Sequence, residues 1–279
     1  MAAAEHRPDR GAESADGAQS VRRALGLLRL VASAQESGVR LTDLAQLSGL
    51  SRPTVHRLLK VLADETAIEQ DAATKRYLLG PELWLLGLAR TGRFPIGAIA
   101  QPYLQALADE IGDTVFLSVR HGNDSVCIER FLGTHPIQVL SIAVGVRRPL
   151  GGSVSGIVLL GGMPPAQAKA ITSANEARLA LQGIAASEVL RQIRAMRGLG
   201  YAYAPQGVMP GTSAVAAPIR AAGGQFLAAV SVAALSPRLE GKRVADIVSR
   251  LGNACDMITR RHTEVAEHAL KRNPGGARA

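Results

Sequence analysis

The sequence of 279 residues contains only two cysteines, Cys127 and Cys255, which form no Cys-x-x-Cys pair. Isolated cysteines of this kind are typical of a reducing compartment and argue against a zinc site. The histidines do not supply a metal site either, since His262 and His268 are six residues apart, a poor helical spacing for binding one metal ion. We therefore expect neither a metal ion nor a cofactor.

Long apolar stretches are also lacking. Residues 1–19 have no apolar segment of the kind that a secretory signal carries. No uninterrupted apolar run reaches the ~18–20 residues that a membrane-spanning helix needs. We expect a cytoplasmic protein with no membrane partner. The apolar fraction of 47% is that of a globular protein, and the chain length suits two domains.

Acidic residues are missing from the segment 51–62, SRPTVHRLLKVL, which holds three cations. The net charge of +9 does not single out this segment, because residues 20–92 carry 10 basic and 7 acidic side chains and residues 93–279 carry 20 and 12. Local pattern is more informative. Ser51 is a plausible N-cap, and Pro53 suits a first helical turn.

The predicted helix after Ser51 has an apolar side and a basic side. Its apolar stripe has the i, i+3, i+4, i+7 spacing and consists of Val55, Leu58, Leu59 and Leu62. The other side carries cations and small hydrogen-bonding groups, namely Arg52, Pro53, Thr54, His56, Arg57 and Lys60. A solvated basic face is one interpretation and DNA contact is the other; for His56, packing against the core is a further alternative.

The surrounding segments favour DNA contact. A helix is predicted from an N-cap at Ser20, with Val21, Leu25, Leu28 and Val31 at helical spacing, and a short helix over 43–47, capped by Thr42, turns Leu44 and Leu47 inward. After the basic helix, strands near 67–70 and 76–79 form a hairpin with Lys75 and Arg76 at its tip. This order is that of a winged helix-turn-helix over residues 20–80. Residues 1–19 are expected to be a disordered tail.

Beyond the hairpin, residues 81–93 are expected to form an apolar linker helix that needs a covering partner. Residues 94–270 mix strands and helices, which predicts an α+β domain, and 271–279 form a tail. Strands are predicted in 113–131, 137–145 and 200–235, and helices over 98–110, 187–199 and 240–269. The Gly-rich segment GGSVSGIVLLGGM (151–163) predicts a turn followed by a helix.

The order and spacing of these segments resemble the IclR family of bacterial transcriptional regulators over roughly residues 20–269. The resemblance rests on LTDLAQLSGLSRPTVHRLLKVL, YLLGPELWLLG, VGVRRPLGGSVSG and SAVAAPI. It implies a winged helix-turn-helix that binds double-stranded operator DNA, a dimerising linker helix and a GAF-like effector domain. A homodimer or tetramer that senses a small-molecule effector is therefore expected.

The resemblance also implies an effector site formed by Ser153, Val154, Ser155, Ala204, Ala214, Ser231 and Ala233. Several polar groups of the family are absent there. Ala204 stands where members have an acid, and Ala214 stands where many have a cysteine. Gly151 and Ile157 replace a common histidine and lysine. We therefore expect an aromatic or other largely apolar acid rather than a small keto acid.

Two alternatives remain at this stage. The segment GGSVSG approaches the nucleophile motif G-x-S-x-G, but Ser155 stands where the second glycine is required, so no catalytic residue is predicted. The same segment could serve only to pack a helix closely on the sheet. The chain could also be an enzyme-like ligand-binding protein whose helix-turn-helix is only an interaction surface.

Overall fold

The computed structural model describes residues 10–34, 37–88 and 95–272. The chain divides into two compact units, residues 1–93 and 94–279. Each unit has its own hydrophobic core. In the described part of the chain, no helix is both long and apolar enough to cross a membrane.

The first unit is a winged helix-turn-helix. Strands β1 and β2 pair antiparallel, with Ile68 opposite Leu79, and Val39 adds a single bridge to Tyr77. The core of this unit is built from Leu27, Val31, Leu44, Val55, Leu59 and Ile68, all at most 2% exposed. In chain order, the elements are α1 (Arg10–Ser33), α2 (Leu41–Ser48), α3 (Arg52–Asp64), β1 (Ile68–Gln70), β2 (Tyr77–Leu79) and α4 (Pro81–Leu88).

The first two helices differ from the sequence prediction in detail. Helix α1 begins at Arg10 rather than after Ser20, so residues 10–19 of the expected tail are helical. A packed helix extends at little cost through residues such as alanine and glutamate, and this segment contains no apolar period from which a helix could be predicted. Val21 is 60% exposed, whereas Leu27 is fully buried, so the inward stripe is rotated from the predicted one.

Helix α2 is one turn longer than predicted. It starts at Leu41 with Arg40 as N-cap residue, and Thr42 therefore lies inside the helix instead of capping it. Leu44 is buried as predicted, but Leu47 is 65% exposed. The longer helix places its apolar face over Leu41, Leu44 and Ala45, which pack on the core.

The second unit is a six-stranded antiparallel sheet in the order β5-β4-β3-β8-β7-β6. Helices α5 and α10 pack on one face of this sheet, and α6 and α9 pack on the other. The chain order is α5 (Ile96–Ile111), β3 (Thr114–His121), β4 (Asp124–Phe131), β5 (Arg147–Pro149), α6 (Val154–Gly161), α7 (Pro165–Ala174), α8 (Glu176–Ala180), α9 (Ala186–Leu199), β6 (Ala202–Ala204), β7 (Thr212–Arg220), β8 (Phe226–Leu235) and α10 (Lys242–Arg272). The α+β class is confirmed.

The strand predicted over 137–145 is wrong. This segment is a loop, in which Val139 is buried beside Phe116 and Cys127 and Ile142 packs on the same cluster. Gln138 holds the loop in place. Its side-chain amide nitrogen donates to the Gly112 carbonyl at 3.0 Å, and its side-chain oxygen accepts from the Thr114 hydroxyl at 2.8 Å. Side-chain bonds of Gln138 thus replace a strand ladder.

Candidate functional site

The basic side of α3 is presented to solvent. Arg52, Pro53, His56, Arg57 and Lys60 are all exposed. None of the cations on α3 forms an ion pair within the described ranges of the chain. Exposure of His56 argues against its packing in the core. The four cationic or ring side chains and the proline therefore form a free surface, which we call the basic face of α3.

The start of α3 is held by the predicted cap. The Ser51 hydroxyl accepts from the Thr54 N–H at 3.4 Å and lies 2.8 Å from the Thr54 hydroxyl. Pro53 occupies the first turn. Thr54 is half-buried at the edge of the basic face, so its hydroxyl contributes to the helix start. Val55 and Leu59 are buried, as the stripe predicted.

The two cations of the hairpin have different surroundings. Lys75 is exposed and has the left-handed φ of 58° that closes the turn. The turn is ordered by Asp71, which accepts from the Thr74 N–H and hydroxyl at 2.6 Å, and these bonds lower the pKa of the Asp71 carboxyl. Arg76 is half-buried and donates to the Gly38 carbonyl at 2.9 Å. Only Lys75 of this pair is fully presented at the tip.

The second unit contains a cavity of about 710 Å³ between the start of α6 and strands β7 and β8. The seven residues predicted to contact an effector all line it. They are Ser153, Val154, Ser155, Ala204, Ala214, Ser231 and Ala233. The structure thus brings together residues from four separate segments of the sequence.

The serines of the cavity have separate roles. The Ser153 hydroxyl caps α6 by accepting from the Gly156 N–H at 3.2 Å. The Ser155 hydroxyl donates to the Ser231 hydroxyl at 3.1 Å, and both serines are almost fully buried. The first turn of a helix has N–H groups without intrahelical partners. A ligand at this wall would meet hydroxyls and the N-terminal end of α6.

The glycines of the same segment serve close packing. Gly151 has a φ of 100°, and a Cβ there would lie 2.9 Å from Cγ1 of Val189. At Gly156, a Cβ would lie 2.9 Å from the Gly151 nitrogen. Close packing therefore explains these two glycines, and the serines between them line the cavity together with Gly151.

Several cavity residues were missed by the sequence interpretation. Arg148 and Glu188 supply charge, and Phe116 and Ile142 supply apolar wall. Glu188 is engaged, since it accepts from the Arg191 Nε at 2.8 Å and the Gln192 amide at 2.7 Å, and these bonds lower its pKa. The only sequence signal for Arg148 was the arginine pair in VGVRRPLGG.

Tyr201, Tyr203 and the two cysteines do not line the cavity. Tyr203 packs on the opposite sheet face with Tyr201, and its hydroxyl donates to the Leu239 carbonyl at 2.9 Å. The two thiols are buried, and burial raises the pKa of Cys127 to about 11 and raises that of Cys255 further. The two tyrosines and the two cysteines therefore contribute to packing of the second unit.

Comparison with known proteins decides the family. The model of the IclR helix-turn-helix domain matches residues 20–72, and the model of the bacterial transcriptional regulator IclR C-terminal domain matches residues 89–260. The chain belongs to the IclR family. The proteins of this family similar to the chain are named as transcriptional regulators, and this IclR-family chain is a DNA-binding transcriptional regulator rather than an enzyme.

Individual relatives share most of their length with this IclR-family chain. It is 32% identical to the HTH-type transcriptional regulator BhcR of Paracoccus denitrificans, covering 96% of this chain and 94% of BhcR. It is 28% identical to XynR of Escherichia coli, covering 85% and 94%. The crystal structure of an IclR regulator from Alicyclobacillus acidocaldarius matches with a TM-score of 0.71 at 24% identity, covering 87% and 98%.

Proposed function

We propose that this regulator senses an aromatic or otherwise largely apolar acid in the cavity of its second unit, and that ligand binding there alters operator binding by the first unit. The observation that carries the proposal is the cavity itself, lined by all seven predicted effector residues. Small-molecule sites usually combine apolar walls with a few convergent polar groups. Here Ser155 and Ser231 supply such groups.

Size and wall chemistry favour an aromatic ligand. The volume of about 710 Å³ is in the range of roughly 300–1,000 Å³ typical of small-molecule sites. A two- or three-carbon keto acid would fill little of it. Phe116, Ile142 and Val154 offer apolar contacts, and Ala204 and Ala214 add small apolar side chains to the lining.

A structural relative supports this ligand class. An IclR homologue from Microbacterium hydrocarbonoxydans, solved in complex with 4-hydroxybenzoate, matches with a TM-score of 0.69 at 22% identity and covers 87% of this chain and 98% of that one. At this identity the likeness concerns the fold. It supports the view that a domain of this shape can hold a hydroxylated aromatic acid.

The DNA-binding side of the proposal rests on the basic face of α3. Recognition helices of helix-turn-helix proteins enter the major groove and contact bases and phosphates through such residues. Arg52, Thr54, His56, Arg57 and Lys60 are proposed to contact operator DNA, with Pro53 at the groove. Lys75 is proposed to contact the backbone from the hairpin tip, whereas Arg76 acts mainly through its bond to Gly38.

The test of ligand sensing is a thermal-shift screen of the full chain with aromatic acids, glyoxylate and pyruvate. We expect aromatic acids to raise the melting temperature and the keto acids to have little effect. Ser155→Leu fills the polar end of the cavity and should abolish the shift while leaving operator binding by gel shift intact. Ser173→Leu, at an exposed site on α7, is the matched control.

The opposite pattern would contradict the proposal. If glyoxylate or pyruvate stabilises the protein and aromatic acids do not, the ligand class is wrong. If Ser155→Leu retains the full shift of a wild-type ligand, that ligand binds elsewhere.

A further inference from the structure

We propose that Arg148 is the residue that selects anionic ligands in this cavity, by accepting the effector's carboxylate on its guanidinium. The inference deepens the proposed function and rests on it. Arg148 is not one of the seven predicted effector residues, and we assign to it the preference for an acid over the corresponding neutral compound.

The position of Arg148 on β5 directs it to the cavity. Strand β5 pairs with β4, with Arg148 opposite Ser125 and Arg147 opposite Val126. Consecutive strand residues point to opposite faces of a sheet. Arg147 is exposed and its Nη1 lies 2.9 Å from Nδ1 of His121. Arg148 is half-buried and lines the cavity.

The guanidinium of Arg148 lacks a partner of opposite charge. Within the described ranges, no carboxylate oxygen lies within 4.0 Å of its nitrogens. Its Nε is buried without a hydrogen-bond partner, and its Nη2 makes only a long bond of 3.5 Å to the Ser141 carbonyl. Burial of a charged group without a partner is unfavourable, so an anion bound to the Nη groups would stabilise this partly buried guanidinium.

Two other charged groups of the same unit, Asp113 and Glu188, are paired with cations. Asp113, only 2% exposed, accepts from Arg238 and Arg243 at 2.8 Å. Glu188, the other charged cavity residue named above, is held by Arg191 and Gln192. Burial lowers the pKa of Arg148, as expected for an uncompensated cation, but arginine stays protonated. Arg148 is thus the cavity cation left available to a ligand.

The geometry indicates how an acid binds. Because Nε is shielded, a carboxylate meets the two Nη groups of the planar guanidinium, which can donate to both oxygens. The apolar body of the ligand then lies along Phe116, Ile142 and Val154. A neutral amide presents one carbonyl oxygen and an NH₂ group that faces a donor, so it loses the charge-assisted pair.

The experiment is calorimetric titration of the full chain with three matched pairs of probes. They are benzoate and benzamide, 4-hydroxybenzoate and 4-hydroxybenzamide, and phenylacetate and phenylacetamide. We expect the wild type to bind an acid about 10- to 100-fold more tightly than its amide. Arg148→Met keeps the length of the stem and should remove that preference by weakening the acid alone.

Two controls separate ligand selection from a structural role. Arg147→Met removes the same charge from the neighbouring, outward-facing position and should leave the preference unchanged. The unliganded Arg148→Met variant should melt at or above the wild-type temperature, since it replaces a half-buried charge that has no ion-pair partner by an apolar group. A marked fall in melting temperature would show that Arg148 supports the fold instead.

The outcomes distinguish the two proposals. If the wild type binds acids and Arg148→Met changes neither affinity nor preference, the assignment of Arg148 is overturned and the proposed function stands. Equal affinity of the wild type for acid and amide would likewise overturn the assignment of Arg148 and leave the proposed function standing. If the wild type binds neither member of any pair, aromatic-acid sensing itself is contradicted.

Discussion

Two arginines of the first unit, Arg57 and Arg76, differ in how far their guanidinium groups are available to DNA. Arg57 is exposed on α3 opposite the buried Val55 and Leu59. Arg76, in contrast, donates a hydrogen bond to the Gly38 carbonyl. The charge pattern of the sequence identified both as candidate DNA contacts. The hydrogen bond of Arg76 depends on a residue 38 positions earlier, so no local pattern could have distinguished the two.

At Arg57, removal of the side chain tests DNA contact. We expect Arg57→Ala to weaken operator binding by about 1–3 kcal/mol if the guanidinium reads a base. If it contacts phosphate only, the loss should be similar for all sequences, and the salt slope of log K should flatten by about one unit. Fluorescence anisotropy with operator and scrambled DNA at several salt concentrations measures both.

Lys169→Ala is the control for Arg57→Ala. Lys169 is exposed on α7 in the second unit, and its removal lowers the net charge equally. We expect little change in operator affinity from it. Unchanged affinity and salt slope for Arg57→Ala would remove α3 from the DNA interface.

Among the elements, those with a strong local signal were predicted and those defined by distant contacts were not. The cap Ser51, the stripe of α3, and the helix after GGS follow from neighbours in sequence, and the structure confirms them. The segment 137–145 was predicted as a strand, but it is a loop because bonds of the Gln138 side chain hold it beside the sheet. The cavity residues Arg148 and Glu188 come from β5 and α9, which only the fold brings together.

Within the turn before α6, Gly151 allows a test of packing. We expect Gly151→Ala to destabilise the second unit by roughly 1–3 kcal/mol, because its φ of 100° disfavours a side chain and the new Cβ would lie 2.9 Å from Val189. Val189→Ala in the same chain should recover the steric part of this loss relative to Val189→Ala alone. Chemical denaturation of the four proteins measures it.

Gly122→Ala is the matched control for the backbone part. Gly122 has a φ of 62° in the β3–β4 turn, and no atom lies within 4 Å of an added Cβ. It should cost roughly 1 kcal/mol and show no coupling to Val189. If Gly151→Ala costs no more than Gly122→Ala, close packing does not explain the glycine.

At the scale of the whole molecule, helix α4 exposes a cluster of large apolar side chains. Trp84, Leu85, Leu86 and Leu88 are 46–66% exposed, and none of the described residues 81–88 is buried. Apolar patches of this kind mark association surfaces. We propose that a second copy of the chain covers α4. Two winged helices in a symmetric dimer would then contact half-sites about 34 Å apart, or a multiple of it.

Disrupting α4 should therefore uncouple the two half-sites. We expect Trp84→Glu combined with Leu88→Glu, one turn apart on the helix, to convert the full chain from dimer or larger assembly to monomer in sedimentation velocity. Operator affinity should fall by roughly 10²- to 10⁴-fold, because the second half-site loses its effective concentration, while each single half-site is bound as before. Leu199→Glu, an equally exposed leucine at the end of α9, should change neither property. A wild-type chain that sediments as a monomer and still binds a two-half-site operator tightly would contradict this role of α4, because one winged helix would then suffice for the affinity.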